Sequence, residues 1–220
     1  MNAPVFVKVC GITSLADAQL AITCGAQALG FIFTASPRQV SALTVQKMTQ
    51  NLPAQILKVG VFRAMAFAEI ENIILQAGLT AVQIHGATDD GLFAQLAERH
   101  PEIVTIRVFE IDAHSHVDQS NGDVKAQAQQ ILFDVGRSEA VRLPLSISDM
   151  LTVRLPATFW IAGGLNAQNV RHYVERLRPA GVDVCSGVEE QPGRKSKSAM
   201  QDFFRALQDV QEGSLEKGSL

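Results

Sequence analysis

The chain has 220 residues, of which 47% are hydrophobic and 19% charged, with a formal net charge of −3. That length holds one barrel or one large α/β domain, and the composition is that of a globular protein with a sizeable core. The small negative charge argues against a nucleic-acid or anionic-membrane surface, and no apolar run approaches the roughly 18 residues that span a bilayer.

In chain order, short β-rich runs alternate with longer stretches of helical spacing. Val5 to Val9 reads as the first strand, followed by a helix from Ser14 to Cys24 with Asp17 at the capping-box position. Ala28 to Phe33 is the second strand and Thr44 to Asn51 a helix. Ile56 to Phe62 is the third strand, and Phe67 to Ala77 a helix closed by Gly78. Ala81 to Ile84 is the fourth strand, with a helix from Asp89 to Arg99. Val104 to Phe109 is the fifth. A polar stretch from Asp112 to Asp123 reads as a loop, with a short helix through Gln130 and a sixth strand from Ile131 to Phe133. Leu145 to Leu151 is a poor helix.

Phe159 to Ala162 is the seventh strand, ending in Gly163-Gly164; Asn166 is the expected N-cap of a helix from Ala167 to Leu177. The eighth strand, Val182 to Cys185, ends in Ser186-Gly187. A last amphipathic helix covers Ala199 to Val210, and a tail from Glu212 to Leu220 is expected to be disordered.

Eight strands interleaved with helical segments imply a parallel sheet closed into a single (β/α)8 barrel over residues 1–211. An open doubly wound sheet calls for a Gly-rich loop at the first strand-to-helix turn, and Cys10-Gly11-Ile12-Thr13 is not one. Strands seven and eight both end in small residues that leave amides open to an anion, where such barrels carry a phosphate site.

Working residues of a barrel stand at the C-terminal ends of its strands. Cys10 there is either a small buried hydrophobe or a reactive thiol. Asp134 follows Ile131-Leu132-Phe133 and is either an anchor for loop amides or a catalytic carboxyl. His85 is a rim histidine, and Arg38, after Ser36-Pro37, is either a surface charge or a carboxylate clamp. Lys8 shares the face of Cys10 and points into the barrel as an ion-pair member or a rim cation. Arg194 and Lys195 read as solvated charges. Cys10, Cys24 and Cys185 have no metal-ligand spacing, so free thiols in a reducing cytoplasm are expected, with no metal site. Met1-Asn2-Ala3-Pro4 lacks a basic segment, and no signal peptide is expected.

Several segments together resemble one family. Lys8-Val9-Cys10-Gly11-Ile12-Thr13, Gly30-Phe31-Ile32-Phe33, Ser36-Pro37-Arg38, Val59-Gly60-Val61-Phe62, Val82-Gln83-Ile84-His85-Gly86, Ala162-Gly163-Gly164-Leu165 and the run from Val182 to Glu189 are similar to the successive motifs of phosphoribosylanthranilate isomerases of tryptophan biosynthesis. The resemblance implies a cofactor-free Amadori rearrangement of N-(5-phosphoribosyl)anthranilate to 1-(2-carboxyphenylamino)-1-deoxyribulose 5-phosphate. It implies Cys10 as general base and Asp134 as general acid. Arg38 matches the group that binds the anthranilate carboxylate, and His85 and Asp183 stand on the substrate side. The amides of Gly163, Gly164, Ser186 and Gly187 match the phosphate site. The expected partner is a phosphorylated small molecule, with no nucleic acid or membrane, and the chain is expected to be a monomer or a homodimer.

Three places depart from the family pattern, one of them a loop before Ser36 that is about a residue short of the usual form. After Asp134 the family's Gly-Gly-Ser/Thr-Gly loop and Phe-Asp-Trp segment are replaced by Val135 to Leu145 and Ile147-Ser148-Asp149-Met150, with Arg137 and Arg142 as candidate substitutes at the anthranilate. Ser196 stands where an Asp is common. The competing readings are an isomerase for another amino-sugar phosphate and a catalytically silent metabolite-binding barrel.

Overall fold

Alternating side chains on each strand decide the architecture, because one set must be buried inside a ring and the other beneath helices. The computed structural model describes residues 4–86, 90–111, 128–134 and 158–216. In it β1 (Phe6–Val9), β2 (Ala28–Ile32), β3 (Leu57–Arg63), β4 (Ala81–His85), β5 (Val104–Glu110), β6 (Gln130–Asp134), β7 (Trp160–Ala162) and β8 (Gly181–Val184) form a closed parallel barrel in chain order. The protein is a (β/α)8 barrel. Closure rests on β1, which pairs with β2 through Lys8 and Val9 and with β8 from Phe6 through Val9.

Ala28, Val59, Ala81, Ile106, Val108, Leu132, Trp160 and Ala162 fill the ring, and Phe6 stacks on Trp160 at 4.9 Å between centroids. The alternate residues, among them Val7, Leu29, Phe31, Val82, Phe109 and Phe133, pack outward on the helices. These are α1 (Leu15–Cys24), α2 (Ala42–Thr49), α3 (Phe67–Ala77), α4 (Asp90–Arg99), α5 (Val170–Leu177) and α6 (Lys197–Glu216). Between β8 and α6 a single 3-10 turn, Ser186–Val188, leads into a hairpin of β9 (Glu189–Gln191) and β10 (Arg194–Lys195).

Local chemistry sets the helix ends. Ser14 Oγ accepts from Asp17 N at 3.1 Å and Gly25 closes α1 in the left-handed region. Ser196 Oγ accepts from Ala199 N at 3.3 Å, so the residue replacing the family's Asp still caps α6. Three expectations change. Asn166 makes the capping bonds, its Oδ1 taking the amides of Gln168 and Asn169 and its carbonyl the amide of Val170, but they close a turn and the helix itself begins at Val170 rather than Ala167. Ala128 and Gln129 are not helical and Gln130 is held in the β5 ladder opposite Ile106, so the helix expected through Gln130 does not reach it. Helix α6 continues to Glu216, into the stretch expected to be a disordered tail. The loop at 112–123, the weak helix at 145–151 and residues 217–220 lie outside the described residues.

Candidate active site at the barrel mouth

Strand parity carries the inward set of each strand up to the C-terminal mouth. Lys8, Cys10 and Gly30 lie on that set, as do Gln83 and His85, Glu110, Asp134, Asp183 and Cys185. The register pairs Lys8 with Asp183 across β1 and β8, and Lys8 Nζ donates to Asp183 Oδ2 at 2.6 Å with both side chains buried. Burial works against the Lys8 charge, but the Asp183 carboxylate and the Cys10 thiol outweigh it and raise its pKa to about 12. Lys8 is therefore the ion-pair member of the two alternatives. Asp183 Oδ1 and Gln83 Oε1 are buried without a hydrogen-bond partner among the described residues.

One pleat above the ion pair, Cys10 faces Cys185. The ladder continues through Cys10 N to Val184 O at 2.8 Å. Cys10 is 7% exposed and Cys185 is part-exposed; both thiols are free. The bond between them pushes Cys10 well up, with burial adding to it and Lys8 opposing. The same bond lowers Cys185 to about 7 against its burial, and Lys195 and Arg38 help. Gly30 makes room: a Cβ there would lie 2.7 Å from Cys10 Sγ and 3.0 Å from Lys8 Nζ.

Arg38 is no surface charge. Ser36 Oγ accepts from Arg38 N at 3.1 Å and sets the turn. The guanidinium, 5% exposed, grips Glu189 through Nε at 2.8 and 3.0 Å and Nη2 at 2.5 Å, leaving Nη1 outside that fork. The sequence reading of Lys195 as solvated is also corrected. It is buried, and its Nζ donates to Cys10 O at 2.6 Å, Cys185 O at 3.2 Å and Glu189 Oε1 at 2.9 Å. The hairpin carries it inward because Thr13 Oγ1 ties Gly193 O at 2.5 Å. Arg194 is exposed and pairs with Glu190.

On the opposite wall His85 meets Gln83 through Nε2 at 3.0 Å and stands 3.9 Å from Glu110. Glu110 is held down to about 2 by His85 and, at closer range, by the Arg63 guanidinium. Asp134 ends β6 opposite Glu110 and Ala162, on the same inward set as Leu132. Arg63, Glu110, Glu189 and Lys195 escaped the sequence reading as site residues; of these only Glu189 lay within a quoted motif. Arg137 and Arg142 lie outside the described residues.

Beside Asp183, the ends of β7 and β8 press together. Gly163 and Gly164 have φ of 98° and 61°, and the loop they form is held by Asn169 Nδ2 to Gly164 O at 3.0 Å. A Cβ on Gly187 would lie 1.9 Å from Leu165 O, so no other residue fits while the two loops touch. The N–H groups of Gly164 and Gly187 make no hydrogen bond with the described residues. Among the described residues no group of His, Cys, Asp and Glu is placed to hold a metal ion, and no helix is long and apolar enough to cross a membrane.

A closed (β/α)8 barrel with thiols, carboxylates and a buried lysine gathered at its C-terminal mouth belongs to the barrel enzymes. The description of N-(5'-phosphoribosyl)anthranilate (PRA) isomerase matches residues 7–206. An N-(5'-phosphoribosyl)anthranilate isomerase of Streptococcus pneumoniae is 32% identical over 203 residues, 92% of this chain and 96% of that one. A solved phosphoribosyl anthranilate isomerase, in complex with reduced 1-(o-carboxyphenylamino)-1-deoxyribulose 5-phosphate, superimposes with a TM-score of 0.80 at 31% identity, covering 93% of this chain and 99% of that one. Monomers generated from the dimeric Thermotoga maritima isomerase give 0.79 at 29%, over 93% and 99%. The chain belongs to the phosphoribosylanthranilate isomerase family, aldose–ketose isomerases of tryptophan biosynthesis.

Proposed function

We propose that the mouth of this barrel carries out the Amadori rearrangement of N-(5-phosphoribosyl)anthranilate with Asp134 as general acid and Cys10 as general base. One observation carries the reading: Cys10 and Asp134 stand on the inward set at the ends of β1 and β6, on the same mouth as the amides of Gly164 and Gly187, which have no partner among the described residues. The substrate's 5-phosphate takes those amides, with Gly163 and Ser186 beside them, at the ends of β7 and β8. Asp183 Oδ1, buried without a partner among the described residues, accepts a sugar hydroxyl.

From that anchor the sugar lies between the base and acid strands. Asp134 gives its proton to the ring oxygen, the C1′–O bond breaks and the nitrogen lone pair forms the iminium. The iminium acidifies the C2′ proton, which Cys10 removes as a thiolate; the enamine then tautomerises to the ketone. No cofactor enters, because the two hydrogens exchanged are both protons.

The two thiols explain how Cys10 reaches that state. The pair loses one proton near neutral pH, and passing the remaining proton from Cys10 to Cys185 puts the charge beside the Lys8 ammonium. The anthranilate carboxylate is taken by the Nη1 edge of Arg38, which Glu189 leaves open, with His85 on the far wall. The net charge of −3 supports an enzyme without a nucleic-acid partner and the free cysteines a cytoplasmic one, while the likeness to the dimeric Thermotoga maritima isomerase supports a monomer or homodimer.

The test is turnover. Freshly generated N-(5-phosphoribosyl)anthranilate is fluorescent, and its signal is expected to decay in proportion to added protein. A signal that decays no faster than the spontaneous rate leaves a silent phosphate-binding barrel. Turnover of another amino-sugar phosphate alone would move the assignment to that substrate.

A further inference from the structure

We propose that Cys10 and Cys185 are a modification site as a pair: a peroxide oxidises them to a disulfide across the β1–β8 seam at the mouth of the barrel. The inference rests on register. Val9 and Val184 are Cα partners, so Cys10 and Cys185 are the next pair up, and parity puts both side chains on the face where Lys8 meets Asp183. Neighbouring strands run about 4.8 Å apart, within the roughly 4.4–6.8 Å between Cα atoms that a disulfide spans. Cys185 Sγ already lies over the end of the first strand, 3.0 Å from where a Cβ on Gly11 would stand.

The groups around the pair decide which sulfur reacts first. Lys195 from β10 and Arg38 from the loop after β2 favour the Cys185 thiolate, and Glu189 from β9 opposes it. Lys8 from β1 and Asp183 from β8 face Cys10 with opposite effects. Cys185 is also the more exposed of the two, so it meets the oxidant.

The chemistry balances with hydrogen peroxide as the only co-reactant. The Cys185 thiolate attacks one peroxide oxygen; an S–O bond forms, the O–O bond breaks, and the leaving hydroxide takes a proton to give water. Cys10 sulfur then attacks Cys185 sulfur, the S–S bond forms, the S–O bond breaks, and the departing hydroxide carries off the Cys10 proton as a second water. Two electrons leave the sulfurs and reduce one peroxide. Loss of activity on oxidation rests on the reading of Cys10 as base; the disulfide itself does not.

Cys24, at the end of α1, lies in a groove against Lys197 and Phe204 of α6, away from the pair, and is replaced so that only Cys10 and Cys185 can react. The experiment uses the full chain carrying Cys24→Ala, treated with hydrogen peroxide, digested with trypsin and read by mass spectrometry beside an activity assay. The expected product is the Cys10 peptide linked to the Cys185 peptide, lighter by two hydrogens, with activity lost in step and both restored by dithiothreitol. In a further Cys185→Ser background that link is expected to vanish. Cys185 passing to sulfinic acid while Cys10 stays reduced would overturn the pair, as would links formed only between molecules. A link that forms with activity intact upholds the pair and removes Cys10 as base.

Discussion

Lys8 is the most exacting position for the packing of the mouth, because a full charge sits at 0% exposure inside the ring. Consider Lys8→Met, which keeps the apolar stem and removes the ammonium. Asp183 Oδ2 then loses its donor while Oδ1 is already without one, so a carboxylate 7% exposed is left with no hydrogen bond among the described residues. Breaking a buried pair from one side costs about 3–5 kcal/mol. The linkage of Lys8 alone is smaller: a pKa raised from 10.5 to about 12 is worth about 2 kcal/mol. That share is fully present below pH 10.5 and is lost as pH rises through about 12; the remainder is the orphaned carboxylate. Urea unfolding at pH 7 is expected to show a loss of about 3–5 kcal/mol with an unchanged m-value, and thermal unfolding a drop of about 6–20 °C. Lys8→Met with Asp183→Leu is expected to recover most of it, since an apolar pair in such a place is close to neutral. A single variant within about 1 kcal/mol of the parent would refute the reasoning. So would a double variant no better than the sum of the two single losses.

Two further outcomes are expected. Gly187→Ala puts a Cβ 1.9 Å from Leu165 O, a backbone atom that cannot swing away, so the two loops must part. Inorganic phosphate is then expected to bind about tenfold more weakly or worse, by calorimetry, with each tenfold about 1.4 kcal/mol; unchanged binding would take the phosphate away from these amides. The Cys185 thiolate is expected to appear with a midpoint near pH 7, read as the rate of iodoacetamide labelling in the Cys24→Ala chain. Lys195→Met is expected to move that midpoint upward, and labelling that first rises at about pH 8.5, as for a free thiol, would contradict the shared-proton pair.

The barrel was legible because each strand is a short apolar run bounded by glycines or polar residues, and the helix ends at Ser14 and Gly78 are written in capping chemistry. The glycine-ended strands were legible for the same local reason. Other features depend on what meets across the ring. Lys8 reads as one of two things until the register brings Asp183 beside it. Cys185 looks like any free thiol until closure sets the first strand beside the last. Lys195 and Glu189 sit in a two-strand hairpin whose charges look solvated in sequence, and only the fold of that hairpin over β1 turns them inward. Arg63 and Glu110 lie one residue beyond where the apolar runs end, so the sequence stopped those strands too soon and missed the rim they build. The capping chemistry of Asn166 was legible, but the start of α5 was not, because the residues that follow it form a turn that becomes regular helix only at Val170.

The base assignment is tested most directly by Cys10→Ser, assayed with N-(5-phosphoribosyl)anthranilate under conditions in which the parent turns over. The hydroxyl fits the space beside Gly30 but ionises far less readily than a thiol. The expected result is a fall in kcat of about a hundredfold or more with KM little changed. Turnover near that of the parent would contradict it and leave proton removal at C2′ to another group.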